Sequence, residues 1–215
     1  LLAAAGLVTA DASKSEVEQA FSGVKTILVD LDQGVEDRSI DLATFDQVKA
    51  AKDAKLGKVI DTKLDVAKIK RRERYSKVYL IAKDGELEQI VLPVYGKGLW
   101  STMYGFMALA ADTKTIRGFS FYQHGETPGL GGEIDNKKWQ ASWVGKIALD
   151  ADNFEPIIKV LKGKVNPAAG DVSSQVDGLS GATLTARGVQ GLVNYWLGQD
   201  GFGPFLATFR QGGIT

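Results

Sequence analysis

The sequence predicts an α+β fold, a mainly antiparallel sheet with flanking helices. Three observations predict it. Lys77–Ala82 and Leu87–Val94 are β-rich runs joined across Asp84-Gly85, a dipeptide that accepts the positive φ angles of a tight hairpin turn. Met103–Ala110 and Thr115–Tyr122 repeat that pattern around Asp112. Leu184, Val189, Leu192, Val193, Trp196 and Leu197 then recur at helical spacing, and Gly198 supplies a stop. Strands in hairpins with scattered helices argue against a doubly wound sheet.

The other elements follow in chain order. LLAAAGLV, at the start, is apolar and small. It falls short of the roughly 20 apolar residues a bilayer span needs, and no basic segment precedes it as in a signal peptide. Residues 1–10 therefore read as the remnant of an N-terminal membrane anchor, the alternative being a processed soluble protein. Asp11–Phe21 reads as an exposed helix, Ile40–Ala50 as a second short helix and Lys58–Val66 as a strand. Asn136 can cap a helix that carries Trp139 and Trp143, spaced by four and so both in the core. Pro156–Val165 reads as a strand, and Gly201–Phe209 as an aromatic tail that packs back on the body. The division is one main domain, 76–215, with a helical and extended segment, 11–75, packed on it.

Composition narrows the chemistry. Of 215 residues 44% are hydrophobic, enough for a proper core. Lys plus Arg and Asp plus Glu are both 26, so the chain is neutral and no nucleic-acid surface is expected. The run Lys68, Lys70, Arg71, Arg72 and Arg74, broken by Glu73, reads as a solvated face. There is no cysteine, and His124 is the only histidine. Disulfides, thiolate nucleophiles, cysteine-held clusters and multi-histidine metal sites are excluded. No metal site and no catalytic residue is assigned, so redox chemistry would need a bound organic cofactor or a metal on oxygen ligands.

Residues 177–190 read DGLSGATLTARGVQ. Asp177-Gly178 is a turn, and Ser180 can cap a helix of about four turns that begins near Gly181. Thr183 then occupies the third helical position, where a capping box would place Glu or Gln. Unpaired N–H groups and the helix dipole favour an anion there, and Gly181 and Ala182 leave room for a phosphate. The plainer reading is a cap with Thr183 as a surface residue. GETPGLGGE, Gly125–Glu133, is a loop of little side-chain bulk that lets backbone N–H groups approach a flat or anionic ligand. It is neither a P-loop nor GxGxxG, and a turn-rich hairpin loop explains it as well. Trp100 follows Gly96 and Gly98, and Leu130 is the one large apolar side chain in its loop. Together they could make a slot for a planar ring; ordinary packing of Trp100 is the alternative. His124 beside Glu126 reads either as an acid–base pair or, more simply, as a hydrogen-bonded filler.

SGAT with its Asp-Gly, GETPGLGGE, PVYGKGLW with YGF, WQASWVGK and GFGPFLATFR together resemble the C subunit of the sodium-translocating NADH:quinone oxidoreductase of bacteria. The likeness covers most of the chain from about Lys77. The first two motifs alone also fit the G subunit of Rnf-type electron-transport complexes, and a flavin-binding sensor domain of the cell envelope is a further alternative. The resemblance implies FMN held by a phosphoester to Thr183, attached by a separate flavin transferase. With FMN there, the expected arrangement has Trp100 and Leu130 on the two faces of the isoalloxazine. Glu126, Thr127, Gly129 and Gly131 would meet its polar edge, and Leu179, Ser180, Gly181 and Ala182 would line the phosphate end. The resemblance also implies electron transfer toward ubiquinone with the other subunits, a membrane helix upstream, and a soluble domain on the periplasmic side of the inner membrane.

Overall fold

The computed structural model describes residues 1–9 and 11–212. In chain order the elements are α1 (Lys14–Ser22), β1 (Val24–Asp30), β2 (Val35–Glu36), α2 (Gln47–Lys52), β3 (Gly57–Val59), β4 (Arg71–Glu73), β5 (Tyr75–Lys83), β6 (Glu86–Lys97), β7 (Thr102–Ala110) and β8 (Ile116–Gln123). A 3-10 turn (Gly131–Asp135), α3 (Lys137–Ala141), β9 (Lys159–Val160), β10 (Gln175–Val176), α4 (Thr183–Leu197) and α5 (Gly203–Arg210) follow. The main sheet runs β2-β1-β5-β6-β7-β8 with every neighbouring pair antiparallel. The α+β architecture is the one the sequence predicts.

Both hairpins form where their turn chemistry places them. Asp84 and Gly85 take φ 54° and 85°, the double positive φ that lets a two-residue turn follow the strand twist. Asp112 closes the second turn, its carboxylate accepting the backbone N–H groups of Lys114 and Thr115. On one face of the sheet Ile90, Leu92 and Val94 of β6, Met103 and Met107 of β7, and Phe119 of β8 join a core filled by Val189, Leu192 and Trp196 of α4. Phe202, Phe205 and Leu206 close its end, so the aromatic tail does pack back. The α4 helix crosses close to β6 because Gly96 has no Cβ; one built there would sit 2.8 Å from the Leu192 Cβ. The Trp196 indole N–H donates to the Tyr95 carbonyl at 2.7 Å and fixes that crossing.

Several elements differ from the sequence reading. β1 is not visible in the sequence, because its main partner β5 lies far along the chain; Val24 pairs with Ile81 and Asp30 with Tyr75. Residues before 76 are thus built into the sheet as well as packed on it. The helix expected over 40–50 is only α2. Asp41 accepts the Ala43 N–H and holds the start of this stretch in a turn, and Asp46 caps α2 by accepting the N–H groups of Val48 and Lys49, so the helix begins only at Gln47. The strand expected over 58–66 stops at Val59. Asp61 accepts the Lys63 N–H, and Asp65 accepts those of Ile69 and Lys70, so the chain folds back. Of 156–165 only Lys159–Val160 is strand, paired parallel to β10. Trp139 and Trp143 are both buried, but Trp143 lies past the end of α3.

Residues 1–8 lie on the opposite face of the sheet, where Ala5 packs with Ile81, Val91 and Ala108. Gln89 donates to the Ala5 carbonyl at 3.1 Å. A Cβ at Gly118 would run into the Ala4 carbonyl. Gly118→Ala is therefore expected to lift this segment at a cost of about 1–3 kcal/mol, the usual range for overpacking. Faster proteolytic cleavage near the N-terminus would report it; an unchanged cleavage rate would contradict the docking.

The basic run is not a uniform solvated face. Lys68 and Lys70 are exposed, but Arg72 is fully buried. Its guanidinium reaches Asp32 at 2.6 Å, Asp200 at 3.5 Å and the Glu73 carbonyl at 2.7 Å. Lys58 bridges the same two carboxylates at 2.7 and 3.1 Å, and Tyr195 donates to Asp200 at 2.7 Å. The network joins the β1–β2 turn, β3 and β4 to the C-terminal end of α4. Beside it the Glu73 carboxylate is buried and accepts from Tyr95 at 2.6 Å and Ser76 at 3.1 Å.

Burial pushes the Glu73 carboxyl up to about 6, against the opposing pull of those two donors and of Arg72. The folded chain therefore binds this proton more tightly than the unfolded one, and the stability tied to it falls as pH rises from about 4.5 to about 6. Glu73→Gln removes that dependence. Relative to the parent it is expected to gain about 1.5 kcal/mol between pH 4.5 and 6.5. Parallel stability-versus-pH curves for the two proteins would refute this.

Candidate functional site

α4 begins at Thr183, two residues later than the sequence indicates. Ala182 occupies the cap position at φ −130° and ψ 46°, and no side chain caps the helix. Ser180 is therefore not the cap, and Thr183 stands at the first helical position rather than the third. The displacement comes from Gly181, whose φ of 71° turns the chain, and from the Ala182 N–H, which bonds the Leu179 carbonyl at 3.1 Å. The start of the helix keeps its outward-facing N–H groups without a side-chain acceptor, the arrangement that favours an anion.

The three hydroxyl residues of this stretch differ sharply. Ser180 is exposed. Thr185 is buried and donates to Glu126 Oε2 at 2.5 Å. Thr183 is half-buried, and among the described residues its hydroxyl has no hydrogen-bond partner. Ser180 and Thr183 both keep accessible hydroxyls without a partner among the described residues, and of the two only Thr183 stands in the first turn of α4.

The glycine-rich loop comes to the same place. A Cβ on Gly181 would lie 2.9 Å from Leu130 Cδ2, so Leu130 sits over the turn that leads into Thr183. Trp100 projects from the turn between β6 and β7 and is 66% exposed; Leu130 is 44% exposed. Leu99 and Leu184 are exposed as well. Large apolar side chains left exposed in glycine-rich surroundings are candidates for contact with a ligand or partner. Leu179 and Ala182 are buried. Thr127 is exposed, and its carbonyl accepts the N–H groups of Leu130 and Gly132 to close the loop. Gly129 takes φ 73° at the bend, and Gly131 is buried. Gly129, Leu179 and Ser180 line a groove of about 580 Å³ with Lys138 and Lys164 on its walls.

Glu126 is turned away from this opening. Its buried carboxylate accepts the backbone N–H groups of Leu99, Trp100 and Ser101 at 3.0, 2.9 and 3.1 Å, in addition to the Thr185 hydroxyl. Burial pushes its pKa up, but the Thr185 hydroxyl and the three backbone donors pull it down further, and it stays below the ordinary carboxylate value. His124 is not its acid–base partner. The imidazole Nδ1 accepts the Glu126 backbone N–H at 3.1 Å and Nε2 lies 2.8 Å from Asp135, so His124 is a hydrogen-bonded filler. Two site residues escape the sequence reading: Thr185, and Ser101, whose hydroxyl accepts the Gly125 N–H at 2.6 Å. The spacing of Thr185, two residues after Thr183, is the available signal: on a helix the two hydroxyls must point in different directions.

Residues 98–198, which hold the exposed Trp100, the Leu130 loop and the uncapped start of α4, match the family of FMN-binding domains. The relatives narrow it further. The chain is 50% identical to the C subunit of the Na(+)-translocating NADH-quinone reductase of Pseudomonas aeruginosa over 99% of this chain and 81% of that protein. It is 45% identical to the same subunit of Yersinia pestis over 100% and 79%. The crystal structure of NqrC from Shewanella oneidensis superposes with a TM-score of 0.88 at 36% identity, covering 98% of this chain and 94% of that one. The chain belongs to the family of Na(+)-translocating NADH-quinone reductase C subunits, components of an oxidoreductase complex. Among the described residues no helix is long and apolar enough to cross a membrane.

Proposed function

We propose that this chain carries FMN esterified through its phosphate to Thr183. In this reading it relays electrons toward ubiquinone within the sodium-exporting NADH–quinone reductase. The observation that carries the proposal is the uncommitted Thr183 hydroxyl at an uncapped helix start, with Leu130 over the turn that leads into it and Trp100 exposed. FMN, when bound, supplies the electron chemistry; the protein supplies position and electrostatics.

The residues divide the work. Thr183 Oγ1 forms the ester, and the remaining negative charge of the phosphodiester faces the first turn of α4, where the helix dipole stabilises it. Gly181 and Ala182 keep the approach narrow in side-chain bulk, with Leu179 beneath and Ser180 at the rim. Trp100 and Leu130 flank the ring, while Thr127 and the backbone of Gly129 and Gly131 offer the polar groups on the Leu130 side. Glu126 takes no part in ring binding, because its oxygens are already occupied. Among the described residues no base is hydrogen-bonded to the Thr183 hydroxyl, which fits attachment by a separate flavin transferase. Exposed Leu99 and Leu184 extend the apolar surface toward a docking partner in the complex. The domain faces the periplasm, tethered to the inner membrane through a helix upstream of residue 1.

Intact-protein mass after co-expression with a flavin transferase tests this. A gain of one FMN less one water is expected. No gain, with a transferase proven active on another substrate, would return SGAT to a plain helix start.

A further inference from the structure

We propose that Glu126 is the positioning residue of the site: one buried carboxylate holds the Trp100 turn, the Leu130 loop and the Thr183 helix in a single fixed arrangement. The inference rests on the FMN reading above and adds a residue that acts on the ring through others.

Each of the three segments touches this carboxylate. The turn carrying Trp100 gives it three consecutive backbone N–H groups, at 99, 100 and 101. Three successive amides clamped on one carboxylate fix the backbone from which the exposed Trp100 indole projects. The helix carrying Thr183 gives it the Thr185 hydroxyl, from the same first turn. The loop carrying Leu130 is its own chain segment, and Gly131 in that loop lies against it: a Cβ there would meet Thr185 Oγ1 at 2.5 Å and Glu126 Oε2 at 3.0 Å. A Cβ at Gly98 would meet Glu126 Oε1 at 2.6 Å. Glycines that look in the sequence like room for a ligand are in part room for Glu126. With four donors on its two oxygens, it is a fixed negative charge in a poorly solvated place beside the slot. Such a charge disfavours electron uptake by a group held there.

The test uses the FMN-loaded protein with Glu126→Gln, Thr185→Val and Thr185→Ser. Glutamine offers one acceptor oxygen and puts an NH2 against backbone donors, so the Trp100 turn loses its anchor. Glu126→Gln is expected to carry FMN by mass, with a more positive flavin midpoint potential and altered circular dichroism in the flavin bands. Thr185→Val keeps the charge, so its midpoint potential is not expected to rise; it should alter the flavin dichroism in the same direction by less, and Thr185→Ser should restore it. Wild-type potential and flavin dichroism in both Glu126→Gln and Thr185→Val would overturn the assignment. If Glu126→Gln does not accumulate, Thr185→Val decides alone. Missing FMN on the unmutated protein is read by mass first and sinks the attachment reading instead.

Discussion

Thr183→Val is expected to abolish the FMN mass gain completely while leaving the chain folded. Valine is nearly isosteric with threonine and shares its β-branching, so the backbone preference at the first helical position is unchanged. The hydroxyl it removes satisfies nothing in the folded chain, since the helix start has no side-chain cap. The usual penalty for losing a capping hydroxyl, about 0.5–2 kcal/mol, therefore does not apply. Ser180→Ala is the matched control, because it deletes the neighbouring exposed hydroxyl. Mass gain in Ser180→Ala and none in Thr183→Val would fix the attachment point. The reverse pattern would move it to Ser180 and remove the argument built on the helix start.

The site is unevenly legible in the sequence, for physical reasons. Local chemistry is readable: Asp84-Gly85 and Asp112 announce their turns, and the α4 apolar stripe announces its helix. Elements whose partners are distant are not. β1 owes its place to pairing with β5, and Lys58–Val66 has strand-like composition that Asp61 and Asp65 overrule with side-chain bonds to backbone. In the site, Trp100 and Leu130 declare themselves as apolar residues in glycine-rich surroundings. The helical position of Thr183 differs by two residues from the sequence expectation, because Ser180 has the composition of a cap while Gly181 has the φ that moves the start. Glu126 has different neighbours from those its local sequence suggests. Its four donors come from residues 99–101 and 185, and no short-range pattern links those positions.

Arg72→Ala is expected to cost about 1–3 kcal/mol, the range for leaving buried polar partners unsatisfied, because Asp32 is partly exposed and keeps Lys58 and Arg74. The cost is not the worth of the pair itself. Arg72 Nε already lacks a partner, so the guanidinium is incompletely satisfied even in the intact chain. The loss comes from what remains: Asp32 and Asp200 would depend mainly on Lys58 for a close cation, and the Glu73 carbonyl would lose its donor. Arg72→Lys should recover less than half, because an ammonium cannot reach Asp32, Asp200 and that carbonyl in the plane the guanidinium spans. The same logic predicts coupling. With Arg72 gone, Asp200→Asn brings the anions closer to balance with the cations left, so it should cost less in that background than alone, by more than about 1 kcal/mol. Denaturant unfolding of the four proteins measures it, and strict additivity would contradict the network. The network grips α4 near Tyr195, while Thr183 stands about 20 Å away at the other end of the helix, by the rise of 1.5 Å per residue. Arg72→Ala should therefore lower stability yet still accept FMN at low temperature, and Thr183→Val should do the opposite. Those paired outcomes separate what holds the helix in place from what the helix presents.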